Sequence, residues 1–308
     1  MVISARFVVK KLVLLANYYN ISTTFMGLTV LSIGTSIPEI SSHIIASLGI
    51  LTNKLDYNII SSTVLGANIG SDIIQQTFIL GLVILICGGL TFSKHFLKKD
   101  FSIMIGTALL TLILGLDGTI SRLDGILLFT VFVWFIYSLY KDERKTMIEK
   151  EKINKKPRVE ILSTAGWLIL LIIASTIALK VIESFVKSTS LSGSMVGVFT
   201  LGIASALPEF FTAIEGLKQK ARGISIGTLI GSNITNPLVA IGLGGMLSTY
   251  YVPKPLVQWD LPMATITAAL LLMWIIKHKG KANKGVAVYL MLLYFAYIFV
   301  RIRYFGID

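Results

Sequence analysis

Two glutamates, Glu39 and Glu209, are the residues best placed to do chemistry, because each closes the same kind of motif. The first motif reads GLTVLSIGTSIPEI from Gly27 to Ile40, and the second reads GVFTLGIASALPEF from Gly197 to Phe210. A proline, Pro38 or Pro208, stands immediately before each carboxylate. Proline has no N–H to donate to the preceding turn, so carbonyls near Thr35 and Ser205 are expected to be freed where the carboxylates enter. Two carboxylates, freed carbonyls and nearby hydroxyls make an oxygen-only shell, which suits a hard cation such as Ca²⁺ and disfavours soft transition metals. A second pair of segments matches downstream: LGANIGSDIIQQ from Leu65 to Gln76, and IGTLIGSNITNP from Ile226 to Pro237. Ser71 and Gln75 are four residues apart, as are Ser232 and Asn236, so each pair shares one helix face and can offer neutral oxygens. The plainer role for such small and amide side chains is packing between helices.

These motifs lie within apolar runs. The 308 residues are 54% hydrophobic and 14% charged, with a mean hydropathy of +0.79, outside the range of a soluble domain. Runs able to cross a hydrocarbon core, about 20 residues each, recur along the chain and are not confined to an N-terminal signal. They predict about nine transmembrane helices, near residues 24–50, 58–91, 101–116, 124–140, 161–186, 194–217, 224–249, 260–276 and 285–300. The opening twenty residues, with Arg6, Lys10 and Lys11 among apolar neighbours, read as an amphipathic lead-in helix. The expected architecture is an all-α integral membrane protein. A carboxylate held in mid-membrane costs several kcal/mol, so it marks a functional site by default.

Charge placement supplies the orientation. The net charge of +12 does not indicate nucleic acid, because the basic residues fall in gaps between apolar runs and not on one patterned surface. Alternate gaps hold 21 of the 28 basic residues. The poor set holds Lys54, Arg122, Lys187, Lys254, Arg301 and Arg303. By the positive-inside rule the N-terminus is cytoplasmic and the C-terminus outside. The one long polar stretch, Lys141 to Glu160, divides the chain into a first repeat (1–140, about four spans plus the lead-in), a charged cytoplasmic linker (141–160) and a second repeat (161–308, about five spans). On this topology the two motif-bearing segments cross in opposite directions, and such inverted repeats, broken by Gly and Pro near mid-membrane, place a substrate site at their interface. The single cysteine, Cys87, has no partner, so disulfides and thiolate metal sites are excluded.

At these residues the chain resembles the cation/Ca²⁺ exchanger superfamily, and within it the prokaryotic-type sodium/calcium exchangers, whose two repeats carry G-T-S-x-P-E and G-S-N-x-x-[ND] motifs. Both kinds of motif occur twice here in the expected order, over most of the chain. The resemblance implies that Glu39 and Glu209 bind Ca²⁺ together with the carbonyls of Thr35 and Ser205. Na⁺ would use the same carboxylates with Ser32, Ser36, Ser71, Gln75, Gly202, Ser232 and Asn236. Exchange would follow from competition for shared ligands at a site open to one side at a time. No cofactor is implied; the ions are cargo, and the bilayer of the cell membrane is the partner. The sequence departs from the pattern in four places. Ala206 stands where a hydroxyl is usual, which bears on Na⁺ stoichiometry. Asn236 replaces the carboxylate of potassium-dependent relatives. Asp72, where the second repeat has Asn233, sits about 100° around the helix from Ser71 and is expected to face away from the site, an ion contact being the second option. Finally, only 26 residues precede Gly27, whereas 38 separate Arg158 from Gly197, so most of the first of the family's usual ten helices is expected to be missing.

Na⁺-coupled Ca²⁺ antiport is the leading expectation. H⁺/Ca²⁺ antiport is the alternative, motivated by Ala206 and by His43, one turn after Glu39, whose unperturbed pKa is near 6.5; packing through hydrogen bonds is the commoner role for a lone membrane histidine. Proton-coupled relatives typically carry G-N-A-x-E instead of the proline motif found here. A channel would favour a continuous ring of ligands, and an enzyme would need a nucleophile–base set that the motifs lack.

Overall fold

The computed structural model describes residues 1–146, 157–186 and 193–306. The first half forms helices α1 Val2–Tyr19, α2 Thr23–Thr35, α3 Ile37–Leu51, α4 Tyr57–Ile86, α5 Lys94–Asp117 and α6 Arg122–Thr146. The second half repeats the series as α7 Pro157–Val186, α8 (193–205), α9 Leu207–Lys218, α10 Arg222–Leu247, α11 Leu256–Lys277 and α12 Lys284–Tyr304. Among the described residues, seven stretches are long and apolar enough to cross a bilayer by length and composition, with α2 and α3 as shorter apolar helices.

Several boundaries differ from the sequence reading. The expected span 24–50 is interrupted at Ser36, and the helix expected over 58–91 stops at Ile86. The ends of the charged linker are helical: α6 continues to Thr146 and α7 begins at Pro157, while residues 147–156 lie outside the described residues. Two short antiparallel ribbons join the loops, β1 Leu90–Thr91 with β4 Lys281–Ala282, and β2 Thr119–Ile120 with β3 Tyr250–Tyr251. They lie at opposite ends of α5. The repeat carries β1, which follows α4, onto β3, which follows α10. A symmetry that exchanges the two ends of the bundle is an inversion.

The middle of the bundle is built from α4 and α10, because their apolar windows are 72% and 100% buried, against 22% for α6 on the periphery. Each central helix packs on the broken helix of the other repeat. A methyl on Gly27 of α2 would lie 2.8 Å from the Ile224 carbonyl of α10, and one on Gly66 of α4 would lie 2.7 Å from the Ser194 carbonyl of α8. Without a hydrophobic force between helices in lipid, such close backbone approach supplies the packing. The helices also carry matched π-helical turns, Gly27–Leu31 with Gly197–Leu201 and Gln75–Ile79 with Asn236–Ile241. Turns of this kind frequently mark functional positions.

Helix α1 buries a stripe of Ser4, Ala5, Val8, Val9, Leu12, Leu15 and Ala16, the spacing of one helix face. It packs on α7, with the Phe7 and Trp167 rings stacked at 4.4 Å and Lys11 Nζ 2.6 Å from Glu160. Arg6 and Lys10 remain exposed. Arg301, read from the sequence as an outer-gap charge, is instead fully buried in α12. Its Nε donates to Asp260 at 3.0 Å and its Nη2 to Ser194 at 2.6 Å, while Tyr297 donates to Asp260 at 2.5 Å. This cluster ties α11 and α12 to the start of α8.

Removing one member of a buried ion pair costs about 3–5 kcal/mol, because the other charge is left uncompensated. Arg301→Ala is therefore expected to lower the thermal unfolding midpoint in detergent markedly, and the Asp260→Asn, Arg301→Met double variant to recover most of the loss.

Candidate functional site

The site forms where the two broken helices meet. Between α2 and α3 the backbone bonds step from Ser36 N–H to Ser32 O and from Ile40 N–H to Ser36 O, at 3.0 Å each. The regular bonds that Ile37 and Glu39 would donate to Ile33 and Thr35 are absent, and Pro38 has no N–H to offer Gly34. Between α8 and α9 the same gap follows Ser205, with Ala206 N–H bonded to Gly202 O at 3.2 Å and Phe210 N–H to Ala206 O at 3.0 Å. Pro38 and Pro208 fit the first turns of α3 and α9, where a helix has no need of their N–H.

Glu39 and Glu209 follow these gaps and are buried, 4% and 0% exposed. Both oxygens of Glu39 lack a hydrogen-bond partner, as does Oε2 of Glu209. Glu209 Oε1 accepts from Ser232 Oγ at 3.3 Å. Among the described residues neither carboxylate meets a basic side chain; acid–base pairs lie elsewhere, as at Lys218–Glu215 and Arg301–Asp260. The carboxylates are near enough to repel each other, and Asp72 adds to the repulsion on Glu39.

Hydroxyls cross between the repeats. Ser205 of the second repeat lies beside Glu39, and Thr35 of the first lies beside Glu209. Both donate to their own helix, Thr35 to Leu31 O at 3.0 Å and Ser205 to Gly202 O at 3.2 Å. Ser32 likewise donates to Leu28 O at 2.7 Å. With their hydrogens so used, these oxygens can present lone pairs. Ser36 Oγ and Asn236 Oδ1 are buried without partners. Buried acceptors left unpaired are costly, and the set, all oxygen and rich in carboxylate, has the chemistry of a hard-cation site.

The central helices supply the rest. Gln75 Nε2 donates to Ser71 Oγ at 3.0 Å, as their shared face requires. Gln75 Oε1 in turn accepts from Asn233 Nδ2 at 3.3 Å. A methyl on Gly202 would lie 2.9 Å from the Gly70 carbonyl carbon and from Ser71 N, so only glycine lets α8 approach α4 here. Asp72 does not turn away from the site as expected. Its Oδ1 accepts from Asn236 Nδ2 at 2.8 Å, because α10 approaches the side of α4 on which Asp72 lies. His43 is held by Tyr250 and Asn68, with ring-nitrogen distances of 3.3 and 3.4 Å. Its packing follows expectation. It also lines a cavity of about 80 Å³ with Glu39, Ser42, Asn68 and Ser205. Pairing of motifs points to neither Asn68 nor Tyr250: the counterpart of Asn68 is Leu229, and Tyr250 comes from a ribbon outside both motifs.

The model of the family described as "Sodium/calcium exchanger protein" matches residues 1–141 and 160–303, both repeats. The chain belongs to the sodium/calcium exchanger family. Within reach of it, the sodium/calcium exchanger MaX1 of Methanosarcina acetivorans is 25% identical over 334 residues, covering 95% of this chain and 92% of its own. The inner membrane protein YrbG of Escherichia coli is 26% identical over 288 residues, covering 90% of this chain and 86% of its own. The solved sodium–calcium exchanger NCX_Mj superposes with a TM-score of 0.76 at 22% identity, over 96% of this chain and 93% of that one. Family membership makes the chain a multi-pass membrane ion exchanger with the inverted-repeat exchanger fold.

Glutamine at either position removes a buried negative charge and replaces one unpartnered carboxylate oxygen with an amide donor. Glu39→Gln and Glu209→Gln are each expected to stabilise the cation-free protein, by about 1–3 kcal/mol, seen as a raised unfolding midpoint in chelator-treated, Na⁺-free detergent solution.

Proposed function

We propose that the chain exchanges Ca²⁺ for Na⁺ by alternating access, with Glu39 and Glu209 as shared ligands of the two ions. The observation that carries this reading is the convergence of both carboxylates at matched helix breaks, buried, unpaired with any basic side chain and flanked by acceptor oxygens. Ca²⁺ takes six to eight oxygens, including carboxylates and backbone carbonyls. The carbonyls of Thr35 and Ser205 are ligands for Ca²⁺. The oxygens of Ser32, Ser36, Ser71, Gln75, Gly202, Ser232 and Asn236 serve Na⁺ or both ions. Two glutamates match the charge of one Ca²⁺, so occupancy by Ca²⁺ and by Na⁺ is mutually exclusive, and an inward Na⁺ gradient drives Ca²⁺ the other way.

Na⁺ is favoured over H⁺ as the coupling ion because each glutamate follows a proline, Pro38 or Pro208, where proton-coupled relatives typically carry G-N-A-x-E. The excess of Lys and Arg in alternate gaps supports a cytoplasmic N-terminus, an outer C-terminus and residence in the cell membrane. Asp72 acts through its bond to Asn236, holding the Asn236 amide so that Oδ1 faces the ions.

Proteoliposomes loaded with Na⁺ and diluted into Na⁺-free buffer at constant pH are expected to accumulate ⁴⁵Ca²⁺. Glu39→Gln and Glu209→Gln should each lower the initial rate by at least about a hundredfold, more than the loss of a ligand's hydrogen-bond partner costs. Uptake that ignores internal Na⁺ but follows an imposed pH gradient would transfer the protein to the proton-coupled alternative.

A further inference from the structure

Asn68 lies on α4 three residues before Ser71, and the second repeat has the apolar Leu229 at the matching position. It is 1% exposed, and its amide can be oriented from its neighbours. The nitrogen Nδ2 lies 3.3 Å from the Asn236 carbonyl oxygen, which can only accept, and 3.4 Å from His43 Nε2. His43 in turn contacts the Tyr250 hydroxyl through Nδ1 at 3.3 Å, and that hydroxyl donates to the His43 carbonyl at 2.8 Å.

The Asn236 carbonyl thus fixes the amide nitrogen on one side, since a flipped amide would set oxygen against oxygen. Asn68 Oδ1 is directed away from that carbonyl and has no hydrogen-bond partner. It belongs to a side chain lining the same 80 Å³ cavity as Glu39, Ser42, His43 and Ser205. No ammonium or guanidinium lines that cavity. An amide oxygen and a carboxylate, both buried without partners and on side chains that line one cavity, each need a donor or a cation.

We propose that Asn68 Oδ1 is a cation ligand, a neutral oxygen that binds Na⁺ or Ca²⁺ on the Glu39 side of the site. The assignment rests on the exchange reading above. It makes the two halves of the site unequal. Glu39 gains an amide oxygen, whereas Glu209, opposite Leu229, keeps its hydroxyl partner Ser232. The hydrogen-bonded chain from Tyr250 through His43 to Asn68 holds that oxygen in place from the β2–β3 ribbon.

The test uses the full-length protein in detergent, with the unfolding midpoint titrated separately with CaCl₂ and with NaCl at constant ionic strength. Asn68→Leu removes both the oxygen and the amide donor, whereas Asn68→Asp keeps the shape and Oδ1 and replaces the donor nitrogen by a second, charge-sharing oxygen. For at least one of the two cations, Asn68→Leu is expected to weaken apparent affinity about tenfold, and Asn68→Asp to bind at least as tightly as wild type. The proposal is overturned if Asn68→Leu matches wild type for both cations, or if Asn68→Asp is as weak as Asn68→Leu, since the amide would then serve only to position His43 and Asn236. Should Asn68→Leu not fold, Asn68→Ala takes its place under the same criteria. A wild-type midpoint that responds to neither cation, or a Glu39→Gln response equal to wild type, overturns the exchange reading itself and this assignment with it.

Discussion

Two buried carboxylates meet with, among the described residues, no basic side chain to compensate them, and the rest of the structure is arranged around that constraint. Like charges held out of bulk solvent repel more strongly than they would in water. A cation between them reverses the sign of the interaction. The helix breaks at Ser36 and Ala206 bear on the same demand, because they leave backbone carbonyls next to each carboxylate without their regular helical donors. Close packing at Gly66 and Gly202 brings those breaks against the central helices.

Each carboxylate is flanked by a hydroxyl from the opposite repeat, Ser205 beside Glu39 and Thr35 beside Glu209. The oxygens around the carboxylates therefore come from both halves. A rigid displacement of the broken helices relative to the central pair would open one approach while keeping most oxygens in register, which is the motion inverted repeats are suited to make. The β2–β3 ribbon is tied to this machinery through Tyr250, which bonds the His43 carbonyl and Ser47 Oγ. An end of the bundle thus communicates with the side chains next to Glu39 by hydrogen bonds alone.

The paired motifs made the essential part of the site legible, since Pro38 and Pro208 announce a helix break and the carboxylates sit beside it. Shared helix faces foretold the Ser71–Gln75 contact. What escaped the sequence depends on pairing between distant elements. Asp72 is near Ser71 in number, but its partner, Asn236, belongs to the other repeat, so its direction was set by how α10 lies on α4. Arg301 sits where loops carry basic residues, yet it is buried because Asp260 and Ser194 meet it there. Asn68 and Tyr250 belong to no repeated pair, and symmetry between the halves is silent about residues that break it. The π-helical turns leave no local signature at all, being fixed by packing and not by residue type.

The central claim is that Ca²⁺ and Na⁺ occupy one shared set of oxygens around Glu39 and Glu209. Equilibrium ⁴⁵Ca²⁺ binding to the purified protein at a series of Na⁺ concentrations tests it most directly. Competition at a shared site predicts that Na⁺ raises the apparent dissociation constant for Ca²⁺ without limit while the saturating amount of bound Ca²⁺ stays constant. A dissociation constant that levels off, or is indifferent to Na⁺, would mean that the ions bind at separate places and would contradict the account.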